Sequence, residues 1–181
     1  MADSDQQRDK LLVVLHEGTA YVHVTGRGCF NNSTTLKQFG TAAIEQDCQT
    51  LVLDMADCIG MDSTFMGVLA GLAFRLKQKS QGEILMVNLS TRTRSLLATL
   101  GLDRVIRPFM VGSTPQKFQQ VLTGPASFAP LEDEDVSQTD TAKTMLEAHE
   151  NLVDLSEENI PKFKDVLTFL REDLKKLESN E

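Results

Sequence analysis

Residues 49–75 read QTLVLDMADCIGMDSTFMGVLAGLAFR, and this stretch decides the fold. Its LVL run predicts a strand over residues 50–55, and the lack of polar alternation indicates a strand covered on both faces of a sheet. After it, apolar residues recur at three- and four-residue spacing, which predicts an amphipathic helix. Asp62 is suited to cap that helix, so Ser63 is expected at its amino-terminal end, where the helix dipole favours negative charge.

The segments on either side continue the alternation of strands and helices. Two β-prone runs, 11–17 and 20–25, flank Glu17-Gly18 and predict a hairpin. Further strands are predicted over 83–87 and 105–111. Helices are predicted over 34–44 with Asn31, Asn32 or Ser33 as cap, after Ser90 or Thr91 up to Gly101, and from 113 to 122. This order predicts an α/β fold with a mixed, mainly parallel sheet of four to five strands and an antiparallel edge hairpin.

The carboxyl-terminal third differs in character. Residues 123–138 contain two prolines and an acidic run, which predicts an acidic linker with little to pack. Residues 139–179 predict a helical extension, a pair of amphipathic helices of which the second has the clearer apolar stripe. Such a stripe must cover something, so we expect an antiparallel helical hairpin that packs on its own domain or across a homodimer.

The charge is unevenly distributed. Residues 1–128 hold 12 Lys and Arg against 11 Asp and Glu, and residues 129–181 hold 6 against 15, which together give the net charge of −8. Binding to nucleic acid draws mainly on phosphate neutralisation, so this balance argues against it. Neither a membrane-spanning apolar stretch nor the apolar centre of a signal peptide is present, and a cytoplasmic location is expected.

The side chains on which most enzymes depend are sparse. The cysteines are Cys29, Cys48 and Cys58. They form no C-x-x-C pair, so reduced thiols are expected in preference to a disulfide or a metal site. The histidines are His16, His23 and His149. A serine hydrolase needs a base in reach of its nucleophile, G-x-S-x-G is absent, and no phosphate-loop spacing occurs, so we expect neither an enzyme nor a cofactor.

Several segments together resemble one known family. These are LVLD at 51–54, MDSTFMGVL at 61–69, Gly26-Arg27, VNLS at 87–90 and LATLGL at 97–102. On them, residues 11–122 resemble a STAS domain, the fold of bacterial anti-sigma factor antagonists. The linker and the helical extension lie outside this resemblance.

The resemblance implies a regulatory function in transcription and signal transduction. In that family a serine at the start of the central helix is phosphorylated by an anti-sigma factor that is also a GHKL-type kinase, and the unphosphorylated form binds this partner and frees a sigma factor. Carried over, Ser63 is the phosphoacceptor, with Thr64 as the alternative, and a phosphatase is an optional further partner. The implied partner-binding residues are Asp62, Ser63, Thr64, Phe65, Gly26, Arg27, Cys29, Asn31 and Ser90.

A second function stays open. Phe65 stands where the family has a small residue, Cys29 stands where it often has an acidic one, and the helical extension is an addition. These departures favour a constitutive STAS interaction module, such as a transporter accessory subunit or a signalling scaffold, that phosphorylation does not regulate.

Overall fold

The computed structural model describes residues 9–132 and 135–180. Residues 1–8, where the sequence predicts no signal peptide, and Asp133 and Glu134 of the predicted linker lie outside the described residues. The strands are β1 (Lys10–His16), β2 (Thr19–Gly28), β3 (Thr50–Asp54), β4 (Cys58–Met61), β5 (Glu83–Leu89), β6 (Ile106–Met110) and β7 (Ala129–Pro130). The helices are α1 (Phe30–Glu45), α2 (Ser63–Ser80), α3 (Thr91–Leu100), α4 (Gln116–Thr123), α5 (Gln138–Leu155) and α6 (Ile160–Ser179).

The strands form one mixed sheet in the order β6-β5-β3-β2-β1-β7, and β4 pairs with the end of β2. The pairs β2–β3, β3–β5 and β5–β6 are parallel, whereas β1 pairs antiparallel with β2. The hairpin between β1 and β2 turns at Glu17 and Gly18, which both have positive φ angles, as a tight hairpin turn requires. The predicted fold class is therefore confirmed, and β4 and β7 are short strands in addition to the predicted ones.

The central strand shows why the LVL run is apolar throughout. Leu51 and Leu53 pack into the main core with α1 and α2, while Val52 faces a smaller cluster that α4 covers from the other side. Successive side chains of a strand point to opposite faces, so a strand covered on both sides needs apolar residues at every position.

Two local details differ from the sequence-based expectation. The helix α1 begins at Phe30 with Cys29 as its cap residue, earlier than the predicted caps allow, because Asn32 lies in the first turn and accepts a hydrogen bond of 2.9 Å from the Cys29 amide. The predicted linker also contains residues that pair and pack, which the sequence did not predict. It contributes β7, which pairs with β1, and Phe128, which packs against the smaller core cluster.

The carboxyl-terminal helices form an antiparallel hairpin, as expected. Ion pairs join Lys143 to Glu178 at 3.5 Å and Glu150 to Arg171 at 3.4 Å, so the start of α5 meets the end of α6. We call α5 and α6 the helical hairpin. Its α5 packs on α2 of the same chain. None of the helices within residues 9–132 and 135–180 has the length and apolar character needed to cross a membrane.

Candidate functional site

The start of α2 is held by one carboxylate that serves two helices. Asp62 Oδ1 accepts a hydrogen bond of 2.9 Å from the Phe65 amide, which confirms Asp62 as the N-cap of α2. Its Oδ2 accepts at 2.8 Å from the amide of Phe30, the first residue of α1. A helix start leaves amides without intrahelical partners, so Asp62 satisfies one amide of each helix and joins their ends. Ser63 follows as the first residue of α2.

The hydroxyl of Ser63 meets a histidine from the helical hairpin. Ser63 Oγ lies 2.9 Å from His149 Nε2, and His149 Nδ1 lies 2.7 Å from the carbonyl oxygen of Met145. A carbonyl can only accept, so Nδ1 carries a proton, and in the neutral ring Nε2 accepts from the Ser63 hydroxyl. His149 is buried, and Ser63 is half-buried beneath α5. The sequence analysis missed this pair.

Below Ser63, α5 approaches α2 along two glycines, Gly67 and Gly71, which we call the glycine ridge. A Cβ added to Gly67 would overlap the Ala148 carbonyl group, and one added to Gly71 would meet the side-chain amide of Asn151. Asn151 Nδ2 also donates to the Gly67 carbonyl oxygen at 3.2 Å. Residues four apart lie on one face of a helix, so the glycine ridge provides a flat surface on which the α5 backbone rests.

Charged side chains flank the same contact. Glu147 of α5 forms an ion pair with Lys37 of α1, and its other oxygen lies 3.7 Å from the Arg75 guanidinium of α2. These side chains remain partly exposed, so the pairs contribute little to stability and are weakened by salt. They do fix which residue of α5 stands over α1 and α2.

The other side of the α2 start is open. A shallow groove of about 420 Å³ lies between the end of β2, the start of α1, β4 and α3. Four of the predicted partner-binding residues line it: Arg27, Cys29, Asn31 and Asp62. Two apolar side chains also line it with large exposed fractions, 45% for Phe30 and 57% for Ile59. The Arg92 side chain adds a cation to this groove.

Three of the predicted partner-binding residues are buried. Phe65 has no exposed surface, and Gly28 makes room for its ring, because a Cβ at Gly28 would lie 2.6 Å from a ring carbon. Thr64 is 3% exposed, and Gly26 is a buried position of β2 whose φ of +77° favours glycine. The side chains of Thr64 and Phe65 therefore lie in the interior and present no contact surface to a partner.

Ser90 and the groove-lining Cys29 both lie at the starts of helices. Ser90 is the N-cap of α3 and accepts at 3.2 Å from the Thr93 amide. Cys29 is half-buried at the start of α1, where burial raises the pKa of its thiol. A raised pKa keeps the thiol protonated, so the thiol is not primed as a nucleophile.

A polar network that the sequence analysis missed lies at the carboxyl ends of the central strands. His23 Nδ1 is 2.8 Å from Asp54 Oδ2, and His23 Nε2 is 2.9 Å from Asp57 Oδ2. Asn88 Nδ2 donates to the other Asp54 oxygen at 2.7 Å. Ionised carboxylates can only accept hydrogen bonds, so both ring nitrogens of His23 donate and the ring is an imidazolium.

The ionisation of this network follows from its contacts. The hydrogen bond to Asp54 raises the pKa of His23 above its ordinary value, against the opposing effect of burial. Burial by itself would raise the pKa of Asp54, but the hydrogen bonds from His23, Asn88 and the Ala56 amide outweigh it and hold that pKa below its usual range. The network fixes the segment that leads into β4, one wall of the groove.

The Ser63–His149 pair has two of the three parts of a hydrolase triad but lacks the third. His149 Nδ1 is oriented by the Met145 carbonyl oxygen and not by a carboxylate, and the ring is only 3% exposed. Within the part of the chain that the structure describes, no three His, Cys, Asp or Glu side chains are placed to share a metal ion. The arrangement is suited to holding the Ser63 hydroxyl in place.

Comparison with known proteins identifies the fold. The family model described as the STAS domain matches residues 10–115. The structure of the anti-sigma factor antagonist SpoIIAA in its unphosphorylated form is similar, with a TM-score of 0.52 and 17% identity, over 65% of this chain and 99% of that one. An anti-sigma factor antagonist from Mycobacterium paratuberculosis is similar with a TM-score of 0.50 and 24% identity, over 59% of this chain and 89% of that one.

Proposed function

The chain belongs to the STAS domain family, and from this premise we propose that it is a non-enzymatic regulatory protein of the anti-sigma factor antagonist type. In this proposal it binds an anti-sigma factor that is also a GHKL-type serine kinase, and phosphorylation of Ser63 ends the binding. The observation that carries the proposal is the position of Ser63, directly after the shared cap Asp62 and beside an open groove.

The composition of the groove indicates what kind of surface it fits. Phe30 and Ile59 offer exposed apolar area, and Arg27 and Arg92 stand beside them as cations, with the carboxylates of Asp9 and Asp62 in the same lining. Interfaces draw much of their affinity from apolar and aromatic side chains within a polar surround. A partner that inserts an apolar side chain here and brings carboxylates to the two arginines is complementary to this groove.

Phosphorylation at Ser63 would act on the interface and spare the fold. A phosphoryl group adds about −1.5 to −2 charges, which a helix amino terminus tolerates because its free amides and dipole favour negative charge. The same charge next to Asp62 repels an acidic partner surface and must be desolvated when the interface closes. One modification can therefore weaken binding and leave the domain folded.

The proposal is tested by phosphorylation and binding with a defined kinase. The protein is incubated with Mg-ATP and each GHKL-type anti-sigma kinase of its own source organism, and phosphopeptides are mapped by mass spectrometry. We expect phosphate on Ser63, none in Ser63→Ala, and an unchanged level in Thr64→Val.

The matching binding experiment uses Ser63→Asp and the same kinase without ATP. We expect its affinity to fall by about tenfold or more, while β3 and β5 keep the hydrogen-exchange protection that they have in the natural chain. Absence of phosphate on both Ser63 and Thr64 with every kinase, together with equal binding of Ser63→Asp, would overturn the proposal.

One observation favours the second candidate, a constitutive STAS interaction module. Ser63 is not free but hydrogen-bonded to His149 under α5, which suits a domain whose serine is never modified. Affinity purification from native extract separates the two functions. A transporter ATPase that is retained equally by the natural chain and by Ser63→Asp supports the constitutive module, whereas a GHKL-type kinase released by Ser63→Asp supports the switch.

A further inference from the structure

The helical hairpin is an addition to a fold that is complete without it. The antagonist SpoIIAA is matched over nearly its whole length by only part of this chain. The family model likewise ends at residue 115, before α5 begins at Gln138. The STAS fold therefore does not require the hairpin, and the position of the hairpin over α2 calls for a reason of its own.

The helical hairpin covers Ser63, the serine that the proposed function requires. Ser63 Oγ and His149 Nε2 are in direct contact at 2.9 Å, with His149 buried. A phosphoryl group must be attached at Ser63 Oγ, and a kinase must approach it from outside. The ring of His149 occupies space that the transferred group requires, so phosphorylation and the closed position of α5 exclude each other.

Part of the contact between the hairpin and the STAS domain is apolar. Leu152 of α5 belongs to the main core, and Asn159 Nδ2 donates to the carbonyl oxygens of Leu100 and Leu152 at 3.0 and 2.7 Å. These contacts hold the base of the hairpin against the STAS domain.

The contact of α5 along α2 has a different composition. From Ser63 to Arg75 it rests on the Ser63–His149 hydrogen bond, on the glycine ridge and on ion pairs of Glu147 that are partly exposed. The residue that α5 places against Gly67 is Ala148, whose buried side chain is a single methyl group, so this part of the contact buries less apolar area than Leu152 does. The contact along α2 can therefore separate at lower cost than the apolar base of the hairpin.

We propose that the helical hairpin is a releasable cover of Ser63, and that its displacement from the glycine ridge precedes phosphorylation at this serine. The biological consequence rests on the proposed function, whereas the cover itself can be tested with no partner present. Displacement also uncovers the faces of α1 and α2 beneath Lys37 and Arg75, so a partner that occupies them would hold the cover open.

Gly67→Ala provides a targeted opening variant. An alanine in a helix interior favours the helix, but here its Cβ would overlap backbone atoms of Ala148, which cannot turn away as a side chain can. Gly71→Ala is the matched control. Its Cβ meets the terminal amide of Asn151, which can rotate away. The variant then gains the same helix propensity and loses one hydrogen bond to the Gly67 carbonyl oxygen, but no backbone overlap displaces α5.

The readout is the reactivity of a thiol placed at the covered position. Ser63→Cys is made in the natural chain, in Gly67→Ala and in Gly71→Ala, and labelling by N-ethylmaleimide is followed peptide by peptide, so that the three natural cysteines serve as internal references. Ser95→Cys, at an exposed position of α3, gives the rate of an open serine site.

We expect Ser63→Cys to label more slowly than Ser95→Cys by about tenfold or more, and Gly67→Ala to remove most of that difference while Gly71→Ala does not. Hydrogen exchange on the chains that retain Ser63 checks that the variant still folds: in Gly67→Ala, α5 loses protection while β3 and β5 keep it.

Failure of the cover and failure of the proposed function give different results. Labelling of Ser63→Cys as fast as Ser95→Cys, or an unchanged slow rate in a folded Gly67→Ala chain, would overturn the cover and leave the proposed function to its own kinase test. A cover that opens in Gly67→Ala, combined with no phosphate on Ser63 in the opened chain with any of the kinases, would support the cover and overturn the proposed function.

Discussion

The two sides of the α2 start are built differently. One side is the groove, where Phe30 and Ile59 are exposed and no other element of the described chain fills the space. The other side is closed by α5, which rests on Gly67 and holds Ser63 through His149. A single helix end therefore borders an open groove and a covered serine at once, because Asp62 joins the starts of α1 and α2 while His149 holds the Ser63 hydroxyl.

The largest effect is expected on the closed side. Leu152→Ala removes a fully buried side chain that anchors α5 in the core, which should destabilise the docked hairpin by about 2–5 kcal/mol. Urea unfolding followed by circular dichroism measures the loss, and hydrogen exchange locates it in α5 and α6. Phe169→Ala, at a position of the same hairpin that is 65% exposed, is the control and should change little. Equal loss of protection in β3 and in α5 would mean that the two sides are one cooperative unit.

Asp62, which joins the starts of α1 and α2 between the two sides, should give the next largest effect. Asp62→Ala leaves one amide of α1 and one of α2 without acceptors, and two lost caps should cost about 1–4 kcal/mol in unfolding free energy. Asp62→Asn keeps one oxygen acceptor and should lose about half as much. Chemical denaturation of both variants beside the natural chain gives the comparison. A loss in Asp62→Asn as large as that in Asp62→Ala would contradict the two-helix role.

A smaller, pH-dependent effect is expected on the open side. The raised pKa of His23 means that its contribution to stability is fully present below the ordinary histidine pKa of about 6.5 and is lost as the pH rises through the raised value. His23→Gln should therefore remove an alkaline decrease in melting temperature that the natural chain shows. Thermal melts across this pH range measure it, with His16→Gln, at the exposed end of β1, as the control. An alkaline decrease of the same size in His23→Gln would rule out this residue as its cause.

The fold was largely predictable because it is encoded in local patterns. The LVL run gave the central strand, Asp62 gave the start of α2, and Glu17-Gly18 gave the hairpin turn, each from neighbouring residues alone. The early start of α1 could not be derived as easily, because the cap residue is Cys29, an uncommon cap, and Asn32 of the first turn accepts from the Cys29 amide.

The site was less predictable because its pairs depend on how distant elements dock. Ser63 and His149 are separated by 86 positions and meet only because α5 lies on α2. His23 meets Asp54 through the register of β2 and β3. The alternation of residues within one strand does not predict the register between two strands. One signal was present: the spacing of Gly67 and Gly71 marks a helix face that another backbone can approach closely.

The most direct test of the account is the initial rate of Ser63 phosphorylation, with one kinase and saturating Mg-ATP, in the natural chain, in Gly67→Ala and in Gly71→Ala. The account predicts phosphate on Ser63 in all three, with a rate in Gly67→Ala about tenfold above the other two. Equal rates in the three chains would contradict the protective role of the hairpin, and no phosphate in any of them would contradict the assignment of Ser63 as the phosphoacceptor.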